Sequence, residues 1–363
     1  CNPDVIDIKA AGTAMRFMTA YLSVTPGEHV ITGTERMKKR PIAVLVDALR
    51  YIGANIEYVG EEGFPPLRIK GHPLAGGYME VPANISSQYI SALLMIGPVL
   101  KNGLELKMKG DIASRPYIDL TLWMMREFGA DADWSDVDTV KVNPKPYQQH
   151  KYLIENDWSA SSYWYEMMAL TPDAGATITL PWLYKESLQG DSAVSRYFEP
   201  LGVHTAYDTE HELVVLTKCA DALLPEGQTY ELDLIGQPDL AQTLVVTCAM
   251  LRRPFRFSGL RSLRIKETDR MAALQTELAK FGIALGIEAD DVLYIDSYAD
   301  GTPHYNGQPI ATYHDHRMAM AFAPAAIKFP GLRINNPEVV SKSYPHFWED
   351  LKQAGFEIRE INN

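Results

Sequence analysis

The chain has 363 residues, 46% of them hydrophobic and 22% charged, which is typical of a soluble globular protein of about two domains. Its formal net charge of −12 argues against a nucleic-acid partner, because such binding needs a basic face that neutralises several phosphates. The sequence has no apolar run of about 18 residues and no charged-then-apolar leader, so we expect neither a membrane span nor a signal peptide, and a cytoplasmic location.

The three cysteines are Cys1, Cys219 and Cys248, an odd number with wide spacing. This spacing fits neither a disulfide framework nor a zinc cluster, so we interpret them as free thiols. The chain opens at Cys1 without a methionine and enters a patterned segment almost at once. We therefore expect it to be a fragment.

Five amphipathic helices, each closed by a glycine and followed by an alternating strand, recur along the chain at intervals of about 75 residues. The closing glycines are Gly53, Gly129, Gly202, Gly282 and Gly355. Glycine just after a helix permits a positive φ at little cost. An earlier helix in each segment begins at small or acidic residues, namely Gly12, Ser86, Ser159, Asp239 and Asp315. With a strand between the two helices and two strands after the second, the predicted unit is βαβαββ.

A lysine or arginine precedes the second helix in four of these units: Arg40, Arg115, Lys266 and Lys342. A helix N-terminus presents unpaired N–H groups and about half a positive charge, so an adjacent cation favours anion binding. Each cation alone could be an ordinary solvated side chain. Their recurrence in an acidic protein predicts a substrate with several phosphate or carboxylate groups.

Eight short motifs follow one another in an order that is specific as a set. They are AGTAMR (11–16), ERMKKRPI (35–42), SSQYISALLM (86–95), SRPYIDLTLWMM (114–125), SLQGD (187–191), RIKETDR (264–270), DHRMAM (315–320) and SKSYP (341–345). Through these motifs the chain resembles the 5-enolpyruvylshikimate-3-phosphate synthase family over essentially its whole length.

The resemblance implies an α/β, two-domain enolpyruvyl-transferase fold built from βαβαββ repeats, five of the expected six being present. Two repeats would form an N-terminal domain, 1–155, and three a C-terminal domain, 156–363. The first repeat, which carries a Lys-Ser pair and an arginine in the family, would lie upstream of Cys1. We therefore expect residues 1–363 alone to be inactive.

The resemblance also implies a reaction, the transfer of the enolpyruvyl group of phosphoenolpyruvate to the 5-hydroxyl of shikimate 3-phosphate with release of phosphate. This step of the shikimate pathway, in aromatic amino-acid biosynthesis, proceeds by addition and elimination. It requires an acid, a base and a cationic clamp. We expect no cofactor, no metal, no partner besides the two substrates, and a monomer.

Three residues are expected to move protons. Asp239 would face the 5-hydroxyl, although a helix N-cap is its local alternative. Glu267 and Lys342 would serve proton transfer at C3, with a capping box as the local alternative for Glu267.

The resemblance assigns further residues to the two substrates. Those expected to bind phosphoenolpyruvate are Gly12, Thr13, Arg40, Gln88, Arg270, His316, Arg317 and Lys342. Those expected to bind shikimate 3-phosphate are Ser86, Ser87, Gln88, Ser114, Tyr117, Asp239 and Lys266. Arg16 and the serines of 157–163 are expected to be structural.

Three positions depart from the family pattern, because Ala10, Ser262 and His314 stand where asparagine is usual. Two alternatives stay open. One is a UDP-N-acetylglucosamine enolpyruvyl transferase, which would show a loop cysteine in its first domain, whereas no cysteine lies between Cys1 and Cys219. The other is a non-catalytic anion-binding fragment of the same fold.

Overall fold

The computed structural model describes residues 4–82, 86–219, 221, 223–298 and 303–361. Two compact units divide the chain, Cys1–Leu153 and Ile154–Asn363, close to the boundary expected after residue 155. Cys219 and Cys248 are free thiols, whereas Cys1 lies outside the described residues. Within the described ranges, no helix combines the length and the apolar character needed to cross a membrane.

The first unit contains two four-stranded sheets and four helices. Its strands are β1 (Asp4–Asp7), β2 (Gly27–Thr32), β3 (Asn55–Tyr58), β4 (Leu67–Gly71), β5 (Gly77–Pro82), β6 (Leu104–Lys109), β7 (Ala132–Asp136) and β8 (Thr139–Val142). Its helices are α1 (Gly12–Val24), α2 (Ala43–Tyr51), α3 (Ser87–Ile96) and α4 (Arg115–Glu127). The sheet orders are β1-β2-β4-β3 and β5-β6-β8-β7, and in each sheet only the first pair is parallel. Each sheet therefore arises from one βαβαββ segment.

The second unit contains a three-stranded and a four-stranded sheet. Its strands are β9 (Thr177–Pro181), β10 (Val203–Asp208), β11 (Leu213–Lys218), β12 (Tyr230–Asp233), β13 (Phe255–Ser258), β14 (Gly286–Glu288) and β15 (Val292–Ile295). Its helices are α5 (Trp158–Leu170), α6 (Val194–Phe198), α7 (Ala241–Met250), α8 (Arg270–Ala279), α9 (His316–Phe322) and α10 (Phe347–Gln353). The order β12-β13-β15-β14 matches that of the first unit, whereas the smaller sheet has the order β10-β11-β9.

The glycines predicted to close the second helices all adopt positive φ. The values are 102° at Gly53, 83° at Gly129, 85° at Gly202, 72° at Gly282 and 98° at Gly355. A side chain at any of these positions would force an L residue into a region that it seldom occupies. The prediction of glycine helix ends is confirmed.

The strand predicted after Gly355 is wrong, because residues 356–361 form no strand. Within residues 303–361 the β-pairing described is one isolated bridge, between Ile310 and Ile334. Alternating hydrophobicity makes a segment suitable for a sheet, but a strand also needs a neighbour to complete its hydrogen bonds. The count of five repeats stays a prediction.

Three of the second helices begin later than their cations indicated. Helix α2 starts three residues after Arg40, α8 four residues after Lys266 and α10 five residues after Lys342. At α8 the reason is local, because the Asp269 side chain accepts a hydrogen bond from the Ala272 N–H at 3.1 Å. An acceptor that satisfies a free N–H sets the first turn, whereas a nearby cation does not.

Helix α5 lies in the core of the second unit and carries an unusual acid. Ser162 on α5 and Thr243 on α7 join the two helices through their hydroxyls at 3.0 Å. Glu166, one turn further along α5, is 0% exposed, and neither carboxylate oxygen has a hydrogen-bond partner. Burial raises the pKa of Glu166 well above its usual value of 4.5. The folded protein therefore holds this side chain in its neutral form.

Replacing Glu166 by glutamine should stabilise the fold increasingly as the pH rises. The buried carboxyl keeps its proton in the folded state, whereas in the unfolded chain it ionises near its usual pKa of 4.5. Below that pH the carboxyl is neutral in both states. Above it only the unfolded chain ionises, so the free energy of unfolding of the wild-type protein falls by up to about 1.4 kcal/mol per pH unit until the folded-state pKa is reached.

Urea unfolding of both proteins at about pH 5 and about pH 8 checks this, with the stability gap expected to be wider at the higher pH. Glu186→Gln, at an exposed position of the same unit, is the control and should show no such trend. An equal gap at both pH values would contradict a neutral Glu166.

Candidate functional site

The second unit contains a network of charged side chains centred on Arg270, the first residue of α8. The Arg270 side chain is 2% exposed. Its Nε donates to Asp315 Oδ2 at 2.7 Å, and its two terminal nitrogens donate to Asp239 Oδ1 at 2.9 Å and Glu267 Oε2 at 2.8 Å. Burial opposes the charge, yet these carboxylates raise the pKa of Arg270 above its ordinary value. The guanidinium is therefore a permanent, fully compensated cation.

Three further cations join this network at its more accessible side. Lys266 Nζ lies 3.3 Å from Asp239 Oδ1, and an Arg317 terminal nitrogen lies 3.2 Å from Asp239 Oδ2. Lys342 Nζ pairs with Glu267 Oε1. Together with Arg270 and Asp315, they bring four cations and three carboxylates to one place, and Asp191 and Asp157 add negative charge near Arg317. Cations gathered in this way suit an anionic ligand.

The local alternatives for the two predicted acid–base residues are wrong. Asp239 lies in a 3₁₀ turn, Pro238–Leu240, and the N-cap of α7 is Leu240, which makes no side-chain cap. Glu267 precedes Asp269, the N-cap of α8, and so lies outside the helix that a capping box would close. Both carboxylates bind cations instead.

The charges change the titration of two residues in this network. Burial alone would raise the pKa of Asp239, but attraction to Arg317, Lys266 and Arg270 holds it well below its usual value. Burial and the charge of Arg317 lower the pKa of His316 to about 3, against the opposite pull of Asp315. Near neutral pH the aspartate is thus ionised and the imidazole neutral.

Two residues of this network were not assigned from the sequence. Asp315 caps α9 by accepting from the Arg317 N–H at 3.0 Å, in addition to holding Arg270. Gln242, 0% exposed on α7, donates from Nε2 to the Asp239 carbonyl at 3.3 Å and accepts from Arg270 Nε at 3.1 Å in the amide orientation that satisfies both ends. A long polar side chain among the smaller or apolar residues of α7 was the available signal.

The first unit brings together four residues predicted to bind phosphoenolpyruvate. Gly12 begins α1, and a Cβ at this position would lie 2.5 Å from a terminal nitrogen of both Arg16 and Arg40. Arg16 is buried and donates to the Gly12 carbonyl at 2.7 Å. Gln88 Nε2 donates to Thr13 Oγ1 at 3.0 Å. Glycine is thus required where two guanidinium groups approach the start of a helix.

The serines predicted to bind shikimate 3-phosphate lie at the starts of α3 and α4. Ser86 is the N-cap of α3, and its Oγ accepts from the Gln88 N–H at 3.4 Å. Ser114 precedes α4 with a φ of 55° and makes no side-chain cap. An L residue with this φ is strained, and such residues gather at functional sites.

These two helix starts lie at the same end of their sheet. The strands that precede them, β5 and β6, are parallel, so α3 and α4 run in the same direction. The hydroxyls of Ser91 and Thr121, 2.7 Å apart, join the helices one turn after Ser87 and Tyr117. The starts of α3 and α4, which carry the predicted serines, are therefore adjacent.

Arg115 has contacts of its own, and an anion site at this cation stays a prediction. It is the first residue of α4, and its guanidinium lies 3.8 Å from the centre of the Trp134 ring. It also donates to the Val137 carbonyl at 2.9 Å. The guanidinium therefore already contacts an aromatic ring and a carbonyl oxygen.

The serines of 157–163 contact their own surroundings in the second unit. Ser159 donates to Asp191, and Ser161 donates to the Trp158 carbonyl at 2.7 Å. The preceding Glu155 accepts from Gln189 Nε2 at 3.0 Å, which gives the SLQGD motif a place at the start of this unit. These contacts suit the structural role expected for the segment.

Comparisons with known proteins agree with these motifs. A profile of the family described as EPSP synthase (3-phosphoshikimate 1-carboxyvinyltransferase) matches residues 1–351. A 3-phosphoshikimate 1-carboxyvinyltransferase of Bacteroides fragilis is 55% identical over 357 residues, which cover 98% of this chain and 84% of that protein. Another, from Shewanella halifaxensis, is 35% identical over 352 residues, covering 96% and 79%.

A solved structure of an EPSP synthase from Acinetobacter baumannii has a TM-score of 0.70 to this chain at 24% identity. The match covers 97% of this chain and 79% of that one. At this identity the likeness concerns the fold, and it confirms the predicted α/β, two-domain enolpyruvyl-transferase architecture.

Replacing Asp315 by asparagine should destabilise the second unit. Asparagine can still cap α9, but it removes one negative charge that compensates the buried Arg270. We expect a loss of roughly 2–3 kcal/mol in the free energy of unfolding, measured in urea.

The matched control is Asp269→Asn. Asp269 also caps a helix, but it pairs with the partly exposed Arg264, so its loss should amount to less than about 1 kcal/mol. Equal losses for the two variants would show that Asp315 acts only as a cap.

Proposed function

Because the chain belongs to the EPSP synthase family, we infer that it is a 3-phosphoshikimate 1-carboxyvinyltransferase, a transferase of the shikimate pathway. The enzyme moves the enolpyruvyl group of phosphoenolpyruvate to the 5-hydroxyl of shikimate 3-phosphate and releases phosphate, a step towards the aromatic amino acids. The curated relatives are named for this reaction and not for transfer to UDP-N-acetylglucosamine. The observation that carries the assignment in the structure is the cationic network around Arg270, built from the motifs that mark the family.

We propose that phosphoenolpyruvate binds to cations and helix starts. The residues assigned to it are Gly12, Thr13, Arg40, Gln88, Arg270, His316, Arg317 and Lys342. The accessible members, Arg317 and Lys342, have side chains 13% and 21% exposed and could meet the carboxylate and phosphate directly. Arg270, at 2%, would contribute mainly its charge. The neutral His316 would donate or accept a single hydrogen bond.

For shikimate 3-phosphate we propose a site made of hydroxyls and a few charges. Its members are Ser86, Ser87, Gln88, Ser114, Tyr117, Asp239 and Lys266. The starts of α3 and α4 supply free N–H groups and hydroxyls for a phosphate, because both helices exceed one turn and present their positive ends on the same side. Lys266 would add the cation that balances the dianion.

Proton transfer is proposed to divide between Asp239 and the Glu267–Lys342 pair. The 5-hydroxyl attacks C2 of phosphoenolpyruvate and gives its proton to Asp239, while C3 gains a proton from the pair. The pair then takes back a C3 proton, the C2–O bond to phosphate breaks, and phosphate leaves with the proton first given to Asp239. Substrate anions bound by Arg317 and Lys266 would take over these partners of Asp239, so its carboxylate becomes more basic when the substrates are bound.

We further propose that the enzyme acts as a monomer in the cytoplasm. The assignment names no residue of a second copy. The net charge of −12 also makes nucleic acid an unsuitable partner. The partners are then the two small substrates.

The purified full-length enzyme should release phosphate from phosphoenolpyruvate only when shikimate 3-phosphate is present. The cationic groups hold the donor, but the adduct forms only if the acceptor hydroxyl attacks it. A colorimetric phosphate assay with each substrate omitted in turn checks this. Release that depends on UDP-N-acetylglucosamine instead would overturn the assignment.

Asp239→Asn should keep both substrates bound yet lower kcat by at least about 100-fold, the usual scale for losing an acid–base group. Calorimetric binding of each substrate, measured beside steady-state turnover, separates the two effects. Asp233→Asn, at an exposed position six residues earlier, is the control. Unchanged turnover in Asp239→Asn would remove Asp239 from the proton pathway.

A further inference from the structure

A strained turn stands directly before α9, the helix that carries His316 and Arg317. Tyr313 and His314 both have left-handed backbones, with φ of 54° and 57°. Among L residues, asparagine, aspartate and histidine enter this region more often than others do, whereas tyrosine is strained there. Two consecutive residues in this region persist only where the surroundings hold them, and such places are often functional.

This turn sets the positions of Asp315 and Arg317, two members of the charged network. The Asp315 N–H donates to the Thr312 carbonyl at 2.8 Å across the turn. Asp315 then binds Arg270 and caps the Arg317 N–H. If Tyr313 and His314 relaxed to ordinary backbone angles, Asp315 and Arg317 would leave these positions.

A hydrogen bond to Glu277, near the C-terminal end of α8, holds this turn. The Tyr313 hydroxyl donates to Glu277 Oε1 at 2.7 Å, and Glu277 is 0% exposed. Glu277 Oε2 accepts from the Ala311 N–H at 3.0 Å and from Lys280 Nζ at 2.6 Å, so the carboxylate itself is fixed.

Glu277 and Arg270 lie seven residues apart on α8, two turns along the same side. Helix α8 is therefore bonded to residues 311–315 at two points, through Glu277 near its C-terminus and Arg270 at its N-terminus. His314 is exposed. The described contacts thus assign the restraint to Tyr313 and not to its neighbour.

We propose that Tyr313 is a positioning residue, whose hydroxyl bond to Glu277 keeps the Tyr313–His314 turn in its left-handed form and thereby sets Arg317 for phosphoenolpyruvate. This inference rests on the proposed function and deepens it. Tyr313 touches no substrate and acts only through α9. The residues proposed for the phosphate of shikimate 3-phosphate on α3 and α4 do not depend on this turn.

Tyr313→Phe tests the tie, because it removes the hydroxyl and leaves the ring. We expect the KM for phosphoenolpyruvate to rise about fivefold, the scale of one lost hydrogen bond, while the KM for shikimate 3-phosphate stays within about twofold. Tyr298→Phe is the matched control, since the Tyr298 hydroxyl bonds the Cys248 and Arg253 carbonyls in the same unit but does not hold α9.

Adding His314→Asn to Tyr313→Phe should recover most of the lost affinity, because asparagine favours the left-handed turn without the tie. An unchanged KM for phosphoenolpyruvate in Tyr313→Phe, a parallel rise in both KM values, or no recovery with asparagine would overturn the proposal.

A stability measurement tests the same coupling without catalysis. His314→Asn should raise Tm more in the tyrosine background, where the tie enforces the strained turn, than in the phenylalanine background, where the turn can relax. Equal gains in the two backgrounds would overturn the proposal. If the wild-type enzyme released no phosphate with shikimate 3-phosphate, the proposed function would be wrong. The comparison of Tm gains in the two backgrounds would still decide whether Tyr313 holds the turn.

Discussion

A buried guanidinium is the constraint on which the second unit depends. Arg270 is almost wholly removed from water, and a charge in that position is tolerated only when ionised partners surround it. Its three carboxylates come from the turn before α7, the segment before α8 and the start of α9. Satisfying one side chain therefore brings distant parts of the chain to one place. The lysines and the second arginine that pair with these carboxylates follow from that arrangement.

The same network shows how an acidic protein can gather positive charge in one place. The whole chain carries −12, yet four cations meet around Arg270 and its carboxylates. In the first unit two guanidinium groups approach Gly12 at the start of α1. Local gathering of cations matters more to a small anion than overall charge, because salt screens charges that lie more than about 10 Å away.

Strain and burial have different meanings in different parts of this structure. Ser114, Tyr313 and His314 adopt left-handed backbones next to helices that carry proposed substrate ligands. Glu166 is buried without a partner in a helix core and takes no part in the network. The left-handed residues bear on the geometry of the proposed site, whereas the buried Glu166 lowers the free energy of unfolding as the pH rises.

The sequence by itself determined the architecture and the family, and it proposed the members of the site. Glycine accepts the positive φ that ends the second helices more readily than any other residue, so their positions could be read directly. What the sequence could not determine was decided by contacts between residues far apart. The Arg115 side chain lies on Trp134, the described segment after Gly355 forms no strand, and Asp239 holds cations instead of capping a helix. Local patterns record what a segment can form, whereas the partner that a charge, a strand edge or a strained turn meets depends on distances that only the folded chain defines.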